Sequence, residues 1–168
     1  MDTPQSVAEG MRLWLQGADR VLLVGVGNES RGDDGAGVLV ARAMEKHVSS
    51  RFRAMNLEEA PARLLPDAID FAPSHIIVVD ATMLDALPGS VRLMRLDEME
   101  RVRSSSTHDL PVSVAVGLVT SEIQAKSIAI GIQPKTVCVG CEMSTEVRRA
   151  CGQVVSLLDE QLASLGVI

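Results

Sequence analysis

The segment spanning residues 21–37 (VLLVGVGNESRGDDGAG) constrains the fold of this 168-residue chain more than any other. An uninterrupted apolar run leads into a glycine-rich turn, which is the pattern of a strand buried in a parallel sheet and followed by a helix. A dinucleotide fingerprint needs a third glycine where Ser30 stands, and a P-loop needs Lys and Ser or Thr in place of Asp33 and Asp34. Because two adjacent carboxylates repel phosphate, the turn suits a cation or a polar peptide group better than a nucleotide.

The overall charge narrows the classes of partner. Twenty-two acidic and sixteen basic residues give a net charge of −6, and the aromatic residues are limited to Trp14, Phe52 and Phe71. Without a basic stripe or stacking side chains, the chain is not suited to bind DNA, RNA or an anionic membrane. The first twenty residues lack a signal-peptide pattern, and no apolar run is long enough to span a membrane. We therefore expect a cytoplasmic protein, and we expect it to be a monomer.

The three cysteines also bear on the compartment and on metal binding. Cys138 and Cys141 form a lone CxxC pair without a second pair or a flanking His, which disfavours a closed zinc site. An odd number of cysteines without the spacing of a disulfide framework is typical of a reducing cytoplasm. We interpret Cys138 and Cys141 as ordinary thiols, with redox or adventitious metal chemistry as the alternative, and Cys151 as a core residue of the last helix.

Strand and helix patterns alternate along the chain. The strands are predicted at residues 21–26, 51–57, 75–80, 90–96 and 127–131, and the helices at 4–18, 34–47, 60–71, from Asp109, and 144–165. The return from 75–80 to 90–96 is too short for a helical crossover, so these two strands are antiparallel or distant. The pattern predicts a single α/β domain over residues 1–168, with three layers and a mostly parallel mixed sheet. Residues 1–19 form an N-terminal helical extension, and Leu64, Leu65 and Ile69 are expected to be buried.

Three side chains are predicted to meet at one edge of this sheet. Asp34 follows the first strand, Asp80 ends the strand at 75–80, and His108 lies in a polar loop before a helix. Open α/β sheets place their sites at the carboxyl ends of strands, and two carboxylates with an imidazole suit zinc, nickel or iron. Each residue also has a simpler interpretation, namely a helix-start charge for Asp34, a turn cap for Asp80 and a surface position for His108. The absence of GxSxG and HExxH disfavours a serine hydrolase and an ordinary zincin.

Several motifs in the same order resemble those of the hydrogenase maturation endopeptidases, over most of residues 20–163. The motifs are Gly27-Asn28, Gly32-Asp33-Asp34-Gly35-Ala36-Gly37, Val79-Asp80-Ala81, Pro88-Gly89, Thr107-His108-Asp109-Leu110-Pro111 and Gly131-Ile132-Gln133-Pro134. The resemblance implies a three-layer α/β/α sandwich on a twisted mixed sheet. It also implies that the metal-contacting positions are Asp34, Asp80 and His108. The family begins close to its first strand, so the extension at residues 1–19 is a departure.

The resemblance further implies an activity and a partner. Such enzymes remove a C-terminal peptide from the precursor of a nickel–iron hydrogenase large subunit after nickel insertion, and the nickel arrives with the precursor rather than as a resident cofactor. Asp34, Asp80 and His108 are then both the catalytic and the metal-contacting residues, with Asp33 and Asp109 as candidate supporting residues. Two alternatives stay open: a metallohydrolase with its own metal that acts on a small amide or peptide, and a non-catalytic nickel-site assembly chaperone.

Overall fold

The computed structural model describes residues 3–57, 64–102 and 112–168 of the chain, and its centre is a five-stranded sheet. The strands are β1 (Val21–Gly25), β2 (Phe52–Asn56), β3 (His75–Ala81), β4 (Val91–Met94) and β5 (Lys126–Ile132), in the order β2-β1-β3-β5-β4. The pairs within β2-β1-β3-β5 are parallel, whereas β4 runs antiparallel to β5. The prediction of a mixed sheet is confirmed, and β4 lies away from β3 because β5 separates them.

Helices cover both faces of this sheet, which confirms the three-layer α/β/α architecture. They are α1 (Pro4–Trp14), α2 (Ala36–Met44), α3 (Leu64–Phe71), α4 (Leu96–Val102), α5 (Val112–Ile123) and α6 (Thr145–Ser164). Two short 3₁₀ segments flank α2: Glu29–Gly35, which is interrupted by non-helical backbone at Arg31 and Gly32, and Glu45–His47. Residues of α1, α2 and α6 share one core cluster with Leu23 and Ile77, and residues of α3, α4 and α5 share the other with Leu22 and Ile76. Alternate side chains of β1 and β3 therefore feed opposite cores.

The first and last helices match their sequence patterns. The N-terminal extension folds as α1, whose Val7 and Met11 are buried and whose cap is the Thr3 hydroxyl, which accepts from Ser6 N at 3.2 Å. Ser144 caps α6, as predicted, and the apolar stripe of that helix faces the core. None of the helices described here is long and apolar enough to cross a membrane.

The third helix differs from the prediction in which face it buries. Leu65 and Ile69 are exposed, at 40% and 46%, whereas Leu64, Ala68 and Phe71 are buried. Positions 64, 68 and 71 lie on one side of a helix, and residues at 65 and 69 are turned about a quarter to a third of the circumference away. Pro66 lies in the first turn, where its missing N–H has no intrahelical partner to lose. The predicted helix start at residues 60–63 lies outside the described part of the chain.

Candidate active site

Close approach of α2 to the sheet shapes the edge where β1 and β3 end. A Cβ atom on Gly37 would lie 2.0 Å from the Val79 carbonyl oxygen and 2.4 Å from that of Val26. A Cβ on Gly25 would lie 2.3 Å from the Gly37 carbonyl oxygen. Since such distances are far below van der Waals contact, only glycine allows the first turn of α2 to rest on the strand ends. The glycines of the segment 21–37 thus serve backbone packing rather than phosphate binding.

Asp34 lies in the 3₁₀ turn between β1 and α2. Its carbonyl oxygen accepts a hydrogen bond from the Asn28 backbone N–H at 3.3 Å, and it packs so closely on Gly27 that a Cβ there would lie 1.7 Å away. Gly27 has φ of +134°, a conformation that L side chains rarely adopt. The Asn28 carboxamide in turn accepts from Ser30 N at 2.9 Å. The backbone of Asp34 is therefore fixed, while its side chain is half-buried.

Asp80 lies near the carboxyl end of β3, opposite Gly131 of β5. The side chain is fully buried, and both carboxylate oxygens are shielded from solvent. A buried carboxylate is costly unless charge or hydrogen bonds compensate it, so an aspartate at this depth needs a positive or hydrogen-bonding environment. The neighbouring Val79 carbonyl accepts from Val26 N at 2.9 Å, which joins the end of β3 to the start of the loop that carries Asp34. The predicted meeting of Asp34 and Asp80 at one sheet edge agrees with this topology.

The third predicted ligand, His108, lies outside the described residues, and so does Asp109. Within residues 3–57, 64–102 and 112–168, no group of three His, Cys, Asp or Glu side chains is placed to hold a metal ion. The roles of Asp34, Asp80 and His108 as a metal-contacting set therefore stay predictions. The structure brings the first two to the same edge and says nothing of the third.

Asp33 plays a different part from Asp34, although the two are adjacent. It is completely buried, and its carboxylate accepts four hydrogen bonds: from Lys135 N at 2.8 Å, Thr136 N at 3.0 Å, Ser144 N at 2.6 Å and the Ser144 hydroxyl at 3.0 Å. Burial by itself raises the pKa of the Asp33 carboxyl, but these donors outweigh it, and the pKa lies below its ordinary value. The side chain thus points toward the segment 135–144, and its oxygens are occupied by that segment.

Gln133, which follows β5, organises the loop that follows β3. Its side-chain oxygen accepts from Leu84 N at 2.6 Å, and its amide nitrogen donates to the Pro134 carbonyl at 3.0 Å. Its backbone is also paired, because Gly89 N donates to the Gln133 carbonyl and Gln133 N donates to that of Ser90, both at 2.9 Å. Sequence reasoning gave Gln133 no role beyond its place in a motif. The available sequence signal was a polar residue directly after an apolar strand.

The two cysteines of the CxxC pair are joined by a disulfide, so the interpretation of Cys138 and Cys141 as ordinary thiols was wrong. The pair is only three residues apart and lies in a tight loop, where Gly140 has φ of +77°. This loop packs on the Asp34 turn, since Gly140 N donates to the Ser30 carbonyl at 2.7 Å and Cys141 lies against Gly32. Cys151 is a buried thiol, as predicted, and burial raises its pKa to about 12.

A groove of about 810 Å³ lies between α1, α6, β4 and the loop after β3. The loop after β3 supplies Leu84 and Gly89 to its wall, and α1 and α6 supply Val7 and Leu157. Its volume falls in the range of sites that enclose small ligands or short peptide segments. The N-terminal extension therefore contributes to the wall of this groove, whose lining residues do not include Asp34 or Asp80.

Comparison with known proteins places the chain in a family. A family model described as hydrogenase maturation protease matches residues 38–161. A protein of Methanocaldococcus jannaschii, provisionally named a hydrogenase maturation protease, is 30% identical over 159 residues, which cover 90% of this chain and 93% of that protein. The hydrogenase 3 maturation protease of Escherichia coli is 27% identical over 138 residues, which cover 82% of this chain and 88% of that protein.

The fold agrees with solved structures of such proteins. The crystal structure of a NiFe hydrogenase maturation protease from Thermococcus kodakarensis matches with a TM-score of 0.81, over 92% of this chain and 99% of that one, at 24% identity. At this level of identity the likeness shows a shared fold. Together with the family model, which spans most of the sequence, these similarities show that the chain belongs to the hydrogenase maturation protease family.

Proposed function

We propose that this protein is the endopeptidase that removes a C-terminal peptide from the precursor of a nickel–iron hydrogenase large subunit after nickel insertion. The observation that carries the proposal is the placement of Asp34 and the buried Asp80 at the same carboxyl edge of the sheet. Membership of the protease family supports the reaction class, and the E. coli relative is named for a hydrogenase. The partner is thus the large-subunit precursor, which the protein meets in the cytoplasm as a monomer.

The nickel belongs to the substrate in this proposal. Asp34, Asp80 and His108 complete the coordination of a nickel ion that the precursor brings, so a precursor without nickel docks incompletely and is not cut. Carboxylate and imidazole donors suit a divalent transition metal. The buried position of Asp80 fits this role, because a cation at the edge would stabilise its negative charge.

The reaction is hydrolysis of one peptide bond. A water molecule adds to the scissile carbonyl carbon, the C–N bond breaks, and the leaving amine takes a proton, which leaves a new carboxylate on the mature subunit. The half-buried Asp34 and the buried Asp80 orient the metal-bearing segment of the precursor against the sheet edge. Holding the reacting groups in one geometry lowers the barrier because it removes their translational and rotational freedom.

Intact mass of the precursor tests the proposal. Nickel-loaded precursor incubated with the protein should lose a C-terminal peptide, whereas nickel-free precursor should keep its mass. Asp34→Ala should leave the precursor uncut, and Asp70→Ala provides the matched control, since Asp70 is an exposed carboxylate on α3. Stable binding of loaded precursor without cleavage would instead indicate an assembly chaperone, and stoichiometric metal in the purified protein would indicate a metallohydrolase of another kind.

A further inference from the structure

We propose that Asp33 is the positioning residue of the site, which fixes the loop carrying Asp34 by clamping it to the segment 135–144. Its effect on cleavage rests on the proposed function, but the clamp itself is a property of the protein alone. The segment 135–144 is the clamp segment. Asp33 does not contact the substrate in this proposal, and it acts through the position of Asp34.

The hydrogen bonds of Asp33 reach both ends of the clamp segment. One carboxylate oxygen accepts from the backbone N–H groups of Lys135 and Thr136 and from the Ser144 hydroxyl, and the other accepts from Ser144 N. The Asp33 backbone N–H also donates to the Thr136 carbonyl at 3.2 Å. Because a buried carboxylate with several N–H donors is a strong acceptor, these bonds hold the two ends of the clamp segment at one point.

The clamp leaves little freedom for Asp34. Its Cα atom is about 3.8 Å from that of Asp33, as across any trans peptide bond, so the position of one residue determines that of the next. On the other side the Asp34 carbonyl is held by Asn28 N and packs on Gly27. Gly32 lies against Cys141, because a Cβ on Gly32 would be 3.3 Å from the Cys141 Cβ. The clamp segment therefore also contacts the turn at Gly32. Asp34 therefore sits between two anchors, and Asp33 supplies one of them.

The same geometry separates the roles of two adjacent carboxylates. All four acceptor contacts of Asp33 are used inside the protein, whereas the Asp34 side chain shows no hydrogen bond to any residue within 3–57, 64–102 or 112–168. A carboxylate whose oxygens are occupied by backbone donors is a poor candidate for an incoming ligand. The half-exposed Asp34 can turn to meet one, provided that its backbone is held in place.

Asp33→Asn is the direct test, since it keeps the size of the side chain but replaces one acceptor oxygen with an NH₂ group that faces N–H donors. At a temperature where the variant is fully folded, we expect kcat for cleavage of nickel-loaded precursor to fall by about 10²-fold, because a displacement of the order of 1 Å at a reacting group has that effect. KM should stay within about twofold, since the precursor surface remote from the loop is unchanged. A folded variant with wild-type kcat would overturn the proposal, and so would a defect confined to KM.

Leu162→Ala is the matched control for loss of stability. Leu162 is buried in the core near the end of α6, 18 residues after the Ser144 cap and thus about 27 Å along the helix. The variant should lower Tm at least as much as Asp33→Asn but keep wild-type kcat while it is folded. Equal kcat values for the two variants at matched folded fraction would show that Asp33 only stabilises the fold.

Amide hydrogen exchange tests the clamp without any substrate. In Asp33→Asn, exchange should accelerate together in residues 29–35 and in the clamp segment, with the rest of the protein unchanged. Ser144→Ala removes one of the four acceptor contacts and also the cap of α6, and it serves as the milder variant should Asp33→Asn fail to fold. It should give a smaller acceleration in the same two regions, together with faster exchange in the first turn of α6. Unchanged exchange in both regions would refute the clamp. If wild-type protein cleaves no precursor, the proposed function fails, and the exchange result still decides the clamp.

Discussion

The two ends of β3 carry buried polar side chains that serve different purposes. At the amino end, His75 is buried, its Nδ1 lies 2.9 Å from the Ser74 hydroxyl, and its ring packs edge-on against Trp14 with centroids 4.9 Å apart. At the carboxyl end, Asp80 is buried, and the turn after the neighbouring β1 carries the half-exposed Asp34. At the amino end of β3, neighbouring side chains cover His75, whereas at the carboxyl end the Asp34 carboxylate stays partly accessible to solvent. Burial of a polar residue alone therefore does not distinguish a functional site from the core. The accessible Asp34 carboxylate beside Asp80 is what distinguishes the two ends of β3.

The largest expected difference between the two ends is in activity. His108→Ala and Asp34→Ala should each reduce precursor cleavage by about 10²-fold or more if both residues contact the metal as proposed, because loss of a metal-contacting group has at least the effect of losing its supporting partner. His75→Ala should retain wild-type cleavage at a temperature where it is folded, since His75 lies at the opposite end of the sheet. Intact mass of the precursor over time measures all three. Normal processing by folded His108→Ala would remove His108 from the site.

Glycine substitutions should show how tightly the carboxyl end is packed. Gly37→Ala places a methyl group 2.0 Å from the Val79 carbonyl oxygen and is expected to destabilise the protein by about 3 kcal/mol, the upper range for overpacking. Gly152→Ala, on α6, meets nothing within 4 Å and is expected to stabilise by about 0.5–1 kcal/mol through helix propensity. Chemical denaturation of both variants makes the comparison. Equal effects would show that α2 can withdraw from the strand ends at little cost.

The Cys138–Cys141 disulfide, in the loop that packs on the Asp34 turn, should contribute modestly to stability. Replacing Cys138 and Cys141 with Ser removes a cross-link that closes a loop of a few residues, and the chain-entropy model gives a loss of about 2 kcal/mol. Thermal unfolding of oxidised protein and of the double variant measures this loss.

Alkylation separates these cysteines from Cys151. In reduced, folded protein two thiols should react with iodoacetamide, because burial and a pKa of about 12 keep Cys151 as an unreactive thiol. The unfolded protein should take three labels. Labelling of Cys151 at the same rate as the pair would contradict its burial in the core.

The smallest expected effect is a pH dependence of stability that comes from His75, at the amino end of β3. Burial, followed by the charge of Lys126, lowers the pKa of His75 below its ordinary value of 6.5, against a weaker opposing interaction with the Trp14 backbone. Between the lowered pKa and 6.5 the unfolded chain binds more protons than the folded one, so stability rises with pH in that window and falls on acidification. His75→Gln should lose this pH-dependent part of the free energy of unfolding. Chemical denaturation of the wild type and of the variant, each at pH 7 and at pH 5, measures the difference. Equal pH dependence in both proteins would mean that His75 does not contribute.

Local sequence signals were sufficient for most of the elements. Ser144 and the apolar stripe behind it predicted α6, because a cap and a 3.6-residue period act within the helix itself. The apolar run at 75–80 predicted β3 for the same kind of reason. For α3 the sequence identified the helix but not its buried face, since three neighbouring apolar residues fit more than one orientation. Which of Leu64, Leu65 and Ile69 is buried depends on where the sheet and α5 lie.

For the candidate site, too, local signals predicted some features and missed others. Strand ends and the order of elements were enough to predict that Asp34 and Asp80 share a sheet edge, because parallel strands end together. The resemblance gave Asp34 a metal-contacting role and Asp33 a supporting one, but the sequence could not identify the groups to which Asp33 is hydrogen-bonded. The partners of Asp33 lie 102 to 111 residues away, where no local pattern reaches. The disulfide was missed because Cys spacing does not report the loop geometry that joins the two sulfur atoms.

The sequence by itself determined most of the secondary structure, the α/β class and the edge of the sheet that carries the candidate site, since these follow from hydrophobic period, capping and glycine placement over a few residues. It missed α4, because the predicted strand at 90–96 ends where that helix begins and no helix was predicted after it. Only the tertiary structure decided that β5 lies between β3 and β4, that Asp33 joins the Asp34 loop to the segment 135–144, and that α1 borders the groove. These features depend on contacts between residues distant in the chain. Their energies are set by how the packed elements meet, and no local pattern encodes that arrangement.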